Sequence, residues 1–151
     1  MKNFKHAFTM VELVFVIVVI GILASVAVVK LAATRDDAMV SAGINNAKQA
    51  VIDVGTYYVA KGEFGAFNEM TNVNLIIKNK RRSFYQVEKQ NCIRFQLLNQ
   101  RKFPGVMTVK IDRKGPRRSE VCKAISNELA TLGIAAKGKG VKHEFGGYLI
   151  N

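Results

Sequence analysis

The feature that most constrains this chain is an apolar run from Phe8 to Val29, FTMVELVFVIVVIGILASVAVV, interrupted by one charge, Glu12. Leu13–Val29 holds 17 uncharged residues, near the lower limit for a helix crossing a hydrocarbon layer of ~30 Å. A carboxylate at depth in such a layer costs about 2.5–3.5 kcal/mol, so Glu12 marks a candidate functional site. The preceding leader, MKNFKHA, carries Lys2 and Lys5, which hold it on the cytoplasmic side by the positive-inside rule. A secretory signal would place a small-residue cleavage site after the run. Here Ala24, Ser25 and Ala27 continue into Lys30-Leu-Ala-Ala with no Gly or Pro between, and the segment reads as retained.

Beyond Lys30 the pattern turns amphipathic. Val40, Ile44, Ala47, Val51, Val54 and Tyr58 recur at spacings of 4, 3, 4, 3 and 4, drawing one apolar stripe along a helix. Arg35, Asp36, Lys48 and Asp53 fall off that stripe. No proline interrupts residues 8–59, which predicts one unkinked helix of about 52 residues, ~78 Å long. Gly62 and Gly65 end it, and Glu63 to Asn79 reads as a connecting loop with a little local structure. Ser83–Glu88, Ile93–Leu98 and Val106–Asp112 alternate as strands, with turns at Pro104-Gly105 and Lys114-Gly115-Pro116. Ile93, Phe95 and Leu97 share one strand face, as do Met107, Val109 and Ile111. Ser119 reads as the N-cap of a helix from Glu120 to about Leu132, with Val121, Ile125, Leu129 and Leu132 on its core face. Phe145-Gly-Gly-Tyr-Leu-Ile reads as a last short strand. The fold class is α+β, a long N-terminal helix packed on a small antiparallel sheet.

The junction Ala7-Phe8-Thr9-Met10-Val11-Glu12, after a basic leader and before an apolar helix, resembles the processing site of type IV pilins and the related pseudopilins. The resemblance covers about 25 residues at the N-terminus. It implies cleavage between Ala7 and Phe8 by a prepilin peptidase, N-methylation of the new Phe8 amine, and polymerisation through the N-terminal helix. The family usually has Gly before the cut; Ala7 is small enough that cleavage is expected. Glu12 matches the family's acidic residue. Phe8 and Glu12 lie one helical turn apart, so Glu12 can pair with its own N-terminus or with a neighbour's. The resemblance favours the intersubunit pair, in which two costly intramembrane charges neutralise each other on docking. The plainer reading is an ordinary single-pass anchor with Glu12 near the headgroups.

On this reading residues 1–7 are a leader and 8–29 the membrane-spanning and assembly half of the helix. Residues 30–151 form a periplasmic or extracellular head, with 30–60 an amphipathic helix and 61–151 loop, strands and a short helix. The implied partners are other pilin or pseudopilin subunits, the prepilin peptidase, an assembly platform with its ATPase, and the inner membrane. Outside the cytoplasm disulfides persist. Joining Cys92 to Cys122 would close a loop of about 31 residues and stabilise a small head by ~3–4 kcal/mol; the alternative is two buried thiols. The product would be a subunit of a type IV pilus or pseudopilus whose basic head serves DNA uptake in natural transformation, or alternatively a type II secretion pseudopilin with no nucleic-acid role.

Charge separates those two roles. Thirteen basic residues against two acids, Glu88 and Asp112, lie between Lys78 and Arg118, while the whole chain carries +12. Lys80, Arg81 and Arg82 form one cluster, Arg113, Lys114, Arg117 and Arg118 another, both expected in loops where phosphates of double-stranded DNA reach them. A solvated basic face, or one that mates with acidic neighbours in a filament, is the competing reading. No enzyme, cofactor or metal is expected. Gly133-Ile-Ala-Ala-Lys-Gly-Lys-Gly140 misses the Ser or Thr of a phosphate-binding loop, and reads as a flexible basic loop. His143-Glu144 lacks a second His, and Glu128 and Glu144 are the acids of the last 30 residues, too few for the calcium site of major secretion pseudopilins.

Overall fold

The computed structural model describes residues 9–98, 105–112 and 119–146, with residues 28–33 described by backbone alone. The chain divides into two units, Met1–Asp36 and Asp37–Asn151. Helix α1, Met10–Lys61, is 52 residues long and starts in the first unit. It stops at Gly62, whose φ of 74° suits glycine and whose N–H donates to Tyr58 O at 2.8 Å. In the first unit, the window Met10–Ala27 has a mean hydropathy of 2.8 and no buried residue.

The second unit is built on a five-stranded antiparallel sheet in the order β1-β2-β3-β4-β5. The strands are β1 Ile76–Asn79, β2 Arg82–Val87, β3 Gln90–Leu98, β4 Gly105–Ile111 and β5 Val141–Phe145. A single-turn helix, α2 (Phe67–Met70), precedes the sheet, and α3 (Glu120–Thr131) lies between β4 and β5 in sequence. The α+β architecture is the expected one. Its core joins Ala47, Ala50, Val54 and Tyr58 of α1 to Ile93, Phe95, Leu97, Met107 and Val109 of the sheet and to Ile125 and Leu129 of α3. Each fully buried large side chain contributes about 1.5–3 kcal/mol relative to exposure.

The buried seam of α1 sits to one side of the stripe read from apolar spacing. Ile44 and Val51 are only half-buried, whereas Gly43, Ala50 and Gly55 are buried. Small residues hold the seam because neighbouring elements come close. A Cβ on Gly55 would lie 2.6 Å from Cε1 of Phe145, and one on Gly43 would run into the Ile125 side chain. At the head of β4 a Cβ on Gly105 would strike the Tyr58 ring.

Four local expectations are corrected. The stretch Glu63–Asn79 is not loop throughout, since β1 pairs with β2 through Ile76↔Phe84 and Ile77↔Ser83. The last described strand is Val141–Phe145, ending where the Gly-Gly pair begins, and residues 147–151 lie outside the described residues. Leu132 is the C-cap of α3 and is 44% exposed; the buried face is completed by Cys122 and Ser126 instead. The 133–140 segment also has a fixed point, because Ile111 N–H donates to Ala136 O at 3.0 Å.

Ser119 is the N-cap of α3, its Oγ accepting from the Cys122 N–H at 3.1 Å. Gln90 Oε1 accepts from the Ser119 N–H at 2.9 Å, which ties the start of α3 to the start of β3. The register between β2 and β3 shifts after Tyr85↔Ile93, passing to Gln86↔Asn91 and skipping Cys92 on the β2 side. That bulge lets two successive residues, Cys92 and Ile93, both be fully buried. Cys92 is bonded to Cys122, with Cα atoms 5.5 Å apart.

Candidate assembly segment and basic sheet face

Glu12 lies in the first turn of α1. Its N–H donates to Thr9 Oγ1 at 3.3 Å, a cap that suits a helix start. Around it Met10, Val11, Leu13 and Phe15 are between 58% and 87% exposed. The 18-residue window from Met10 to Ala27 rises about 27 Å, close to the thickness of a hydrocarbon layer. Ser25 Oγ donates to Ile22 O at 2.7 Å, so its hydroxyl is satisfied within the helix and is tolerated away from water. Ala7 and Phe8, the cleavage positions, lie outside the described residues.

The head places the basic residues differently from the loop reading. Lys80 and Arg81 form the turn between β1 and β2, shaped by the Arg81 N–H donating to Asn79 Oδ1 at 3.0 Å. Arg82 is not a loop residue; it opens β2, because pairing opposite Gln96 begins there. Arg113, Lys114, Arg117 and Arg118 lie outside the described residues.

Strand register then gathers cations that the sequence scatters. Arg82 faces Gln96, Gln96 faces Thr108, and Thr108 faces Lys142. One row along, Phe84 faces Arg94 and Arg94 faces Lys110. Their chain neighbours Ser83, Phe95, Val109 and Val141 alternate to the α1 side. Arg94 and Lys110 belong to neither basic cluster of the sequence, and Lys142 falls outside the dense basic stretch altogether. The signal was the period-two alternation of each strand, but register between strands was needed to align it.

Arg94 is the fixed member of this face. Its guanidinium bonds Asp112 Oδ1 at 2.9 Å, the Asp112 carboxylate being almost wholly buried, and its Cζ lies 5.9 Å from the Phe84 ring centre. A buried pair of this kind is costly to break from one side. Beside it runs a groove of ≈ 410 Å³ bordered by Ile76, Lys78, Arg82, Phe84 and Arg94. Gln86 and Asn91, also at its edge, are bonded to each other at 2.7 Å. Arg82, Lys110 and Lys142 make no ion pair with another described residue.

Other polar groups are absorbed by the fold. His143 Nε2–H donates to Ile134 O at 2.9 Å. Asp53 accepts from Gln49 Nε2 and from Thr71 Oγ1, both at 2.6 Å, which docks the α2 region on α1. Among the described residues no three of His, Cys, Asp and Glu come together as a metal site.

Residues 2–28 match the family model of the prokaryotic N-terminal methylation motif. This is the prepilin-type cleavage and methylation segment of type IV pilins and pseudopilins. The motif supports a type IV pilin or pseudopilin, a class of structural subunits rather than enzymes. It implies assembly with other pilin subunits and processing by the prepilin peptidase, and it fits a precursor anchored in the inner membrane. No curated protein and no solved structure matches the chain.

Proposed function

We propose that this chain is a filament subunit cut before Phe8, N-methylated there, and polymerised through α1 by pairing Glu12 with the Phe8 ammonium of a neighbouring subunit. One observation carries the reading. Within the matched segment, Met10–Ala27 is an apolar helix with no buried residue and a single carboxylate, Glu12. Its apolar surface needs a bilayer or other copies of the helix, and its charge needs a partner inside that setting. The precursor is held in the inner membrane with the head in the periplasm, until a platform and ATPase raise it into a pilus. The basic head serves DNA uptake, for which a dense positive surface supplies salt-dependent, sequence-independent affinity.

Glu12→Ala tests the assembly part. The variant remains inserted and accumulates normally, but is absent from sheared filaments, because docking would leave an ammonium unpaired. Incorporation at the wild-type level would exclude the intersubunit pair.

A further inference from the structure

We propose that the outer face of the sheet is a docking surface for the phosphate backbone of duplex DNA, its contacts made by Arg82, Lys110 and Lys142. This deepens the DNA-uptake reading and rests on it, replacing two loop clusters by one rigid face.

The geometry comes from the ladder. Arg82, Gln96, Thr108 and Lys142 stand in one row across four paired strands, spanning about 14 Å at ~4.8 Å per strand. Lys110 lies in the next row, opposite Arg94. Just ahead of β5, a Cβ on Gly140 would meet the side chains of both Lys110 and Thr108, which therefore share this side of β4. Strands hold charged groups at fixed spacing more precisely than loops do. A duplex presents one negative charge per ~1.7 Å of its axis, so a row of this length meets several phosphates whatever the base sequence.

Charge and apolar content select the occupant. Asp112 is committed to Arg94, and against the cations Arg82, Lys110 and Lys142 this face carries the exposed Glu144, two residues beyond Lys142 on β5. Phe84 is 9% exposed and lies beneath Arg94, so no exposed ring on β2–β5 of this face offers a platform for stacking unpaired bases. A protein partner would seek an exposed aromatic or aliphatic anchor at the centre of the patch. The centre instead holds the half-buried Gln96 and the buried Thr108, with no aromatic or aliphatic anchor, and the exposed apolar residues Ile76 and Ile77 lie on the edge strand β1. Backbone contact with a duplex is the chemistry that fits.

The test uses the full chain purified in neutral detergent, titrated onto a 30-base-pair duplex at several salt concentrations. Arg82→Gln/Lys110→Gln/Lys142→Gln is compared with a loop variant, Lys80→Gln/Arg81→Gln/Arg113→Gln/Lys114→Gln/Arg117→Gln/Arg118→Gln. Arg94 is left intact, circular dichroism and blocked thiols report folding, and Lys142→Glu at an exposed position serves if the triple variant does not fold. The sheet variant is expected to lose about tenfold or more in affinity at 0.1 M salt and to flatten the log–log salt slope by about 3, one unit per lost contact. Lys142→Glu alone is expected to weaken binding several-fold. A loop variant that takes the whole loss, with the sheet variant at the wild-type level, overturns the sheet face and leaves the DNA reading standing. Wild-type chain that gives no complex at micromolar concentration and low salt overturns both. Displacement of the duplex by polyglutamate at equal charge concentration overturns the choice of occupant.

Discussion

Met10–Ala27 and the unit from Asp37 onward treat their apolar residues in opposite ways. Leu13, Phe15, Ile17, Ile20 and Leu23 are 57% to 69% exposed, whereas Ile93, Phe95, Leu97, Met107 and Leu129 are at most 1% exposed. The head supplies its own burial, held by a disulfide and by a helix seam of small residues. Met10–Ala27 has no burial of its own; on the proposed function a bilayer or copies of the same helix supply it. The difference teaches where identity is written. The segment without buried residues falls inside the match at residues 2–28, which is a short linear pattern. The head is defined by strand register, which no short pattern contains.

The largest way to break this comparison is to remove the staple from one side of it. Cys92 and Cys122, 30 residues apart, constrain the unfolded head, so Cys92→Ser/Cys122→Ser is expected to cost about 3–4 kcal/mol of head stability. Denaturant unfolding measures that loss, and carbonate extraction of membranes shows the anchor unchanged. An unaltered unfolding midpoint would mean that the core alone holds the head.

A smaller contrast uses three glycines of the same helix. Alanine normally stabilises a helix interior by ~1 kcal/mol over glycine. At Gly21 a Cβ meets nothing within 4 Å, so Gly21→Ala leaves head unfolding unchanged. At Gly55 it meets the Phe145 ring at 2.6 Å, and overpacking of that kind costs about 1–3 kcal/mol, outweighing the propensity gain. Gly43→Ala, against the more pliable Ile125 side chain, falls between them. Thermal melting of the three variants orders them Gly55, Gly43, Gly21 from most to least harmful. A stabilised Gly55→Ala head would show that β5 does not press on α1.

Much of the fold was legible where local chemistry decides it. Helix α1 followed from an unbroken period without proline, β3 and β4 from alternation, and α3 from the Ser119 cap. Strand β1 was not legible, because all four of its residues are exposed and its partner, not its pattern, makes it a strand. The β2–β3 turn was hidden too. Glu88 and Lys89 adopt φ of 50° and 62°, the conformation of a tight hairpin turn that normally advertises itself with Asn or Gly. Of the candidate sites, Glu12 and the two cysteines could be named from residue type and surroundings. The basic face could not, since Arg82 and Lys142 are 60 positions apart in the chain and only the register of four strands sets them in one row.

The central claim is that the N-terminal segment is processed as a prepilin, and N-terminal peptide mass analysis of the membrane fraction tests it most directly. The account predicts a mature chain beginning at Phe8 with one added methyl group on its amine. A chain still beginning at Met1 in cells with an active prepilin peptidase would contradict it.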